Sequence, residues 1–138
     1  MEVKKAIIPI AGLGTRFLPL SKVLPKEFWP LVDKPILQYI VEEAWASGIK
    51  EIIFVANPGK KIALDYFKKE LKSKKISSAK YKNHFLKELE NLENISKNIS
   101  FSQVFQKKPL GDGHAILQAK RLIKNKPVAI LFGDDVVK

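Results

Sequence analysis

The chain has 138 residues, 46% of them hydrophobic and 28% charged; it can enclose one sizeable core and is short for two ordinary domains, so a single domain over 1–138 is expected. It has no cysteine, which excludes a disulfide framework, a thiolate zinc site and a cysteine nucleophile, and fits a cytoplasmic setting. The formal charge of +11 raises nucleic-acid binding, because clustered lysines neutralise phosphates. Many of the lysines, however, fall between Lys60 and Lys97, in a stretch rich in Lys, Glu, Asn and Ser that reads as a solvated helical face. No nucleic-acid partner is expected; an attraction for smaller polyanions such as nucleotides is the modest inference that remains.

In chain order, the apolar run within Met1–Ile10 is interrupted at Pro9 and Gly12, too early for a signal-peptide core or a membrane span, so no membrane partner is expected. Lys5–Ile10 reads as a buried parallel strand that delivers a loop at Ala11–Arg16. From Asp33, a candidate cap, with Pro35 in the first turn, Ile36, Leu37, Ile40, Val41, Ala44 and Trp45 recur at helical spacing until Gly48. Glu51–Ala56 reads as a second buried strand closed by Asn57-Pro58-Gly59.

Ile62–Phe67 starts another helix. The lysine-rich segment at about 68–98 follows as a helical excursion with a thin apolar stripe of Phe85, Leu86, Leu89 and Leu92. Phe101–Phe105 is a third strand, His114–Ile123 a helix with Ala115, Ile116, Ala119, Leu122 and Ile123 on its apolar face, and Pro127–Phe132 a fourth strand. Strands alternating with helices predict an α/β fold with a mostly parallel sheet flanked by helices. The last strand runs into Gly133-Asp134-Asp135, at the strand end where open α/β sheets put their ligands, so the chain is expected to be truncated at a functional edge.

Chemistry concentrates in the loop Ala11-Gly12-Leu13-Gly14-Thr15-Arg16 and in Pro25-Lys26-Glu27. Glycines let backbone N–H groups approach a ligand, and Arg16 and Lys26 add positive potential, so a triphosphate would fit there. On spacing alone the same loop also reads as a tight strand-to-loop turn. A P-loop is excluded because Gly-Lys-Ser/Thr is missing, and Phe17 stands where a dinucleotide-binding fingerprint needs its third glycine. Gln106 alone could be a solvated strand-end residue, and Asp134-Asp135 alone a turn or a helix cap. His114 reads as a residue opening a helix and receives no catalytic role.

Taken together, Gly-Leu-Gly-Thr-Arg-Phe-Leu-Pro at 12–19, Pro-Lys-Glu at 25–27 and Leu-Val-Asp-Lys-Pro-Ile-Leu-Gln-Tyr at 31–39 resemble the signature of sugar nucleotidyltransferases, in that family's order and spacing. Within the family they resemble the bacterial UTP:glucose-1-phosphate uridylyltransferases, also called UDP-glucose pyrophosphorylases, and the similarity spans about the first half of the usual length. The resemblance implies the Rossmann-like nucleotide-diphospho-sugar transferase fold. It also implies uridylyl transfer from UTP to glucose 1-phosphate, giving UDP-glucose and pyrophosphate, with Mg²⁺ as cofactor and a homo-oligomeric full-length form.

By the same resemblance, the backbone of Ala11 and Gly12 and the side chains of Glu27 and Gln106 face the base, with Gly14 and Thr15 in the nucleotide loop and Gly111 packing beside it. Arg16 and Lys26 hold phosphates and Asp134 holds the metal, with Asp135 outside the ligand set. Asp112 and Trp29 depart from the family pattern, where smaller or apolar residues are usual. The sugar pocket and a second metal carboxylate belong to the family's other half, so this chain is expected to lack full activity alone. The alternatives are a glucose-1-phosphate thymidylyltransferase and a non-catalytic nucleotide-binding module.

Overall fold

The computed structural model describes residues 2–69 and 83–136. Part of the expected excursion, 70–82, lies outside the described residues. Strand β1 (Lys5–Pro9) leads through short 3-10 turns and a small antiparallel pair, β2 (Pro30–Leu31) and β3 (Lys34–Pro35), to helix α1 (Ile36–Ala46). Strand β4 (Glu51–Ala56), helices α2 (Ile62–Lys68) and α3 (Asn83–Asn98), and strand β5 (Ser100–Phe105) follow. Helices α4 (Asp112–Gln118) and α5 (Lys120–Ile123) then return the chain to β6 (Val128–Ile130).

The larger sheet is four-stranded, in the order β5-β4-β1-β6, and each of its pairings is parallel. Its strands are near-continuous runs of apolar residues because helices cover both faces. Successive side chains alternate between those faces. Ala6, Ile8, Ile52, Phe54 and Phe101 pack with α1, α2 and α3 through Leu37, Ile40, Val41, Phe67 and Ile95. Ile7, Ile53 and Val55 pack on the other face with Ala115 and Ala119. Under α2 and α3 the rings of Phe54, Phe67 and Phe101 stack with centroids 4.9–5.8 Å apart.

Four local expectations are corrected. Asp33 does not cap α1: it lies in the turn between β2 and β3, where Val32 has φ 67°, and it accepts a hydrogen bond from the Tyr39 hydroxyl at 3.2 Å. The N-cap is Pro35, which the pairing of β2 with β3 holds extended at ψ 146° and so keeps out of the first helical turn. The single helix expected over His114–Ile123 is two, because Ala119 donates to the Ile116 carbonyl three residues back and tightens the chain there. The fourth strand is shorter than expected, Val128–Ile130, although Leu131 still donates to the Ile7 carbonyl at 3.0 Å.

The apolar stripe of α3 continues past Leu92 to Ile95 and Ile99, and Ile95 is fully enclosed while Phe85 is exposed. The helix is therefore fastened by its second half. Removing the Ile95 side chain leaves a cavity in the larger core. Ile95→Ala is expected to cost about 2–5 kcal/mol in urea unfolding, whereas Phe85→Ala should change the midpoint little; equal effects would contradict this anchoring.

Candidate functional site

A chain that leaves β1 toward β4 and later returns on its other side as β6 opens a crevice at the carboxyl ends of the strands, where open α/β sheets bind ligands. The loop after β1 supplies one wall. Ile10 donates to the Val55 carbonyl at 2.8 Å, which prolongs the β1–β4 pairing up to the loop. Gly14 then turns the chain with φ 60° into the 3-10 turn Thr15–Phe17, and its carbonyl accepts from the Ser21 hydroxyl at 2.7 Å. A Cβ on Gly14 would lie 2.9 Å from the Ser21 Cβ, so the turn requires glycine for its dihedral and for space alike. Phe17 packs edge-on against Trp29 with centroids 4.7 Å apart, so Trp29 props the turn from below.

Ala11, Gly12 and Thr15 line a cavity of about 280 Å³ together with Gln106 and Gly111, bringing together residues that are distant in sequence. Pro9, Leu13, Pro109, Asp112 and Ala115 complete its walls. Gln106, at the end of β5, donates from its backbone to the Ala56 carbonyl at 2.9 Å and is buried. Its side-chain Nε2 lies 3.0 Å from the Gly111 carbonyl and 3.0 Å from Nδ1 of His114.

Lys26, Glu27 and Asp134 form a second group at the β6 side. Lys26 and Asp134 make an ion pair. Glu27 is buried beneath Gly133, where a Cβ would stand 2.9 Å from the Glu27 Cγ and 2.8 Å from the Ile10 Cγ2. Burial pushes the Glu27 carboxyl above its ordinary value of 4.5; Lys26 and Lys60 pull it back, Asp134 pushes it further, and burial prevails. Glu27 is not among the residues lining the cavity that holds Gln106.

Arg16 is exposed on its 3-10 turn and makes no ion pair among the described residues. Asp135 is exposed beside Asp134. Among the described residues no three His, Cys, Asp or Glu side chains cluster as a metal cage. Asp134, a partly exposed carboxylate, has the chemistry of a Mg²⁺ ligand whose remaining coordination comes from phosphates and water.

A larger cavity, about 410 Å³, lies between α1, α2 and α3 and is walled by Tyr66, Phe85, Leu86, Leu89 and Leu92. Its one lysine, Lys34, is held by Glu42 at 2.7 Å and Glu88 at 3.5 Å, and the cavity does not reach the carboxyl ends of the strands. For a polyanion the smaller cavity, at the carboxyl ends of the strands and lined by Thr15 next to Arg16 in the chain, is the candidate. Sequence reasoning missed Lys60 as a neighbour of Glu27, His114 as a partner of Gln106, and Ser21 as the lock on Gly14. No spacing pattern signals any of these contacts. Among the described residues, no helix is long and apolar enough to cross a membrane.

The chain is 46% identical over 138 residues to UTP–glucose-1-phosphate uridylyltransferase 1 of Staphylococcus saprophyticus, covering 100% of this chain and 47% of that protein. It is 45% identical over 136 residues to UTP–glucose-1-phosphate uridylyltransferase YngB of Bacillus subtilis, covering 99% and 45%. The chain thus spans about half the length of the curated relatives it matches.

Among solved structures it resembles UDP-glucose pyrophosphorylase complexed with UDP-glucose, with TM-score 0.84 and 39% identity over 98% of this chain and 47% of that one. It also resembles the UTP-bound enzyme of Acinetobacter baumannii, with TM-score 0.85 and 38% identity over 99% and 47%. A glucose-1-phosphate thymidylyltransferase structure from Bacillus anthracis, at 21% identity and TM-score 0.68, shares the fold. Since the family model for nucleotidyl transferases matches residues 5–138, the whole of the sheet and both candidate clusters fall within it, and the chain belongs to the nucleotidyl transferase family.

Proposed function

We propose that this chain binds UTP and carries the nucleotide-binding half of a uridylyl transfer from UTP to glucose 1-phosphate. The observation behind this is the convergence of Ala11, Gly12, Thr15, Gln106 and Gly111 on one cavity, with Lys26 and Asp134 paired at the same end of the sheet. Relatives about 45% identical and named for UTP and glucose 1-phosphate support the same reading. The thymidylyltransferase alternative has only a shared fold behind it.

In the proposed reaction a phosphate oxygen of glucose 1-phosphate attacks the α-phosphorus of UTP in line. A new P–O bond forms, the α–β anhydride bond breaks, and pyrophosphate leaves with the electron pair. No side chain acts as nucleophile, so catalysis rests on positioning and on charge placed where negative charge accumulates. Arg16, free of an internal partner among the described residues, would meet the β- and γ-phosphates, and Lys26 the phosphates nearer the sugar. Mg²⁺, held by Asp134 and the phosphates, would supply neutralisation of the triphosphate. Until Lys26 turns to phosphate, its ion pair with Asp134 would hold both side chains in place without an unpaired charge. The backbone of Ala11 and Gly12 would border the base, and Glu27 would support this floor from beneath Gly133.

A cytoplasmic location and self-association belong to the same proposal. The first is supported by the lack of a membrane-spanning helix among the described residues. The second, a homo-oligomeric full-length form, rests on the family resemblance.

Calorimetric titration of UTP and of dTTP, each with Mg²⁺, tests the reading. UTP binding is expected to weaken about 10- to 100-fold in Arg16→Ala and in Asp134→Ala, the scale of a lost charge-assisted contact. Undiminished binding in both variants would remove the phosphate site from this end of the sheet. Glu27 offers an independent check. Because its carboxyl is raised in the folded state, ionising it opposes folding: the stability is full below 4.5 and is lost as pH rises from there through the folded value. Glu27→Gln is therefore expected to unfold at higher urea than wild type at pH 7, with the two curves converging below pH 4.5. A wild type that is the more stable at pH 7 would mean that the ionised carboxylate is held favourably.

A further inference from the structure

The 3-10 turn Thr15–Phe17, which carries Arg16, contains no buried residue. Thr15, Arg16 and Phe17 are all exposed, and among the described residues none of their side chains makes a hydrogen bond or an ion pair. Two contacts fasten the turn from outside. The Ser21 hydroxyl donates to the Gly14 carbonyl at its start. At its end the Phe17 ring stands edge-on to the indole of Trp29, with centroids 4.7 Å apart and planes at 74°. Ser21 fixes where the turn begins; the ring pair fixes where it ends, one residue beyond Arg16.

The indole stands on firmer ground. Trp29 caps the 3-10 turn Lys26–Phe28, its backbone N–H donating to the Lys26 carbonyl at 3.1 Å. Its carbonyl accepts at 3.1 Å from Ile36, the first residue of α1, and the neighbouring Phe28 packs in the larger core. The indole Nε1 is buried with no hydrogen-bond partner among the described residues. Burying an unpaired N–H opposes folding, so what the side chain contributes is its apolar ring and not its polar end. Trp29 thus belongs to the turn of Lys26 by the chain and touches the turn of Arg16 by its ring.

We infer that Trp29 is a positioning residue: through Phe17 its ring fixes Arg16 relative to Lys26, and so sets how tightly the β- and γ-phosphates of a nucleoside triphosphate are held. The inference rests on the proposed placement of phosphates at these two basic residues. Arginine is a long side chain, and a backbone that shifts beneath it spreads the guanidinium over many positions, few of which match the fork geometry a phosphate needs. An edge-on aromatic pair has a preferred geometry and removes that freedom before the ligand arrives. Trp29 lies beneath the turn and itself touches no phosphate. A nucleoside monophosphate, which has no β- or γ-phosphate, should be held as well without the ring pair as with it.

Calorimetric titration of UTP and of UMP, each with Mg²⁺, into the chain is the test. The variants are Trp29→Leu, Trp29→Phe, Phe17→Leu, Arg16→Ala and the double variant Arg16→Ala, Trp29→Leu. Trp29→Leu keeps an apolar group and removes the ring; it is expected to weaken UTP about tenfold and to leave UMP unchanged. Phe17→Leu removes the other ring, from an exposed position outside the core, and should weaken UTP as much. Trp29→Phe keeps an edge for the pair and discards the unpaired N–H, so it should hold UTP nearly as well as wild type. In the Arg16→Ala background Trp29→Leu should have no further effect on UTP, because the residue it positions is gone. Equal weakening with and without Arg16, parallel weakening of UTP and UMP, or UTP binding unchanged in Trp29→Leu and Phe17→Leu would each overturn the brace. An Arg16→Ala variant that binds UTP like wild type, or a wild type that binds neither nucleotide, would instead overturn the phosphate reading itself and the brace with it.

Discussion

Strand β1 is the fixed point of the molecule. Ala6, Ile7 and Ile8 are wholly enclosed, and the strand is bonded on one edge to β4 and on the other to β6. A strand held on two faces and two edges cannot shift by a residue without exposing one face and breaking both ladders. The loop that follows therefore starts from a defined position, and Ile10, still paired with Val55, carries that definition to Ala11. The close approach of Gly133 to Ile10 and Glu27 ties the loop after β6 to the same point. Residues more than a hundred positions apart thus meet because both loops leave adjacent parallel strands at the same end.

The charges at this end are arranged with little slack. Glu27 is buried where ionisation is unfavourable, and Lys26 and Lys60 offset the cost only in part. Lys26 in turn is paired with Asp134, whereas Arg16 and Lys22, in the same loop after β1, make no ion pair among the described residues. On the proposed reading, a triphosphate meets Arg16 first and then competes with Asp134 for Lys26. Phosphate affinity is set by that exchange and not by a permanently free cluster of lysines. The chain-wide charge of +11 says little about it, because most of those lysines lie elsewhere.

The strands of the larger sheet were legible because each is an apolar run closed by turn residues, and β4 begins and ends where its pattern does. The loop after β1 was legible from its motif, and the convergence of Ala11, Gly12, Thr15, Gln106 and Gly111 on one cavity follows the order of elements. What escaped depends on contacts that no local pattern encodes. Strands β2 and β3 are two residues each, too short to show a period, so Asp33 looked like a helix cap. Ile95 and Ile99 sit in a polar stretch and are buried only because α3 reaches the sheet with its second half. The burial of Glu27 is produced by a glycine at position 133, and the break at Ala119 involves neither glycine nor proline.

The same distinction separates the two halves of the candidate site. The residues around the cavity, Gln106, Gly111 and His114, act through neutral hydrogen bonds whose directions are fixed by backbone: Gln106 by its bond to Ala56 and Gly111 by its turn at φ 89° into α4. The residues around Gly133 act through charge. Among the described residues no hydrogen bond or ion pair joins the two sets. Direction-dependent contacts discriminate between bases of equal charge, and salt screens them little; ion pairs at a partly exposed surface attract any polyphosphate and weaken with ionic strength. On the proposed reading, base choice and phosphate affinity are then separable properties, set by different residues on either side of β1. A substitution on one side should alter its own property and leave the other in place, because the strand between them is too tightly held to transmit a shift.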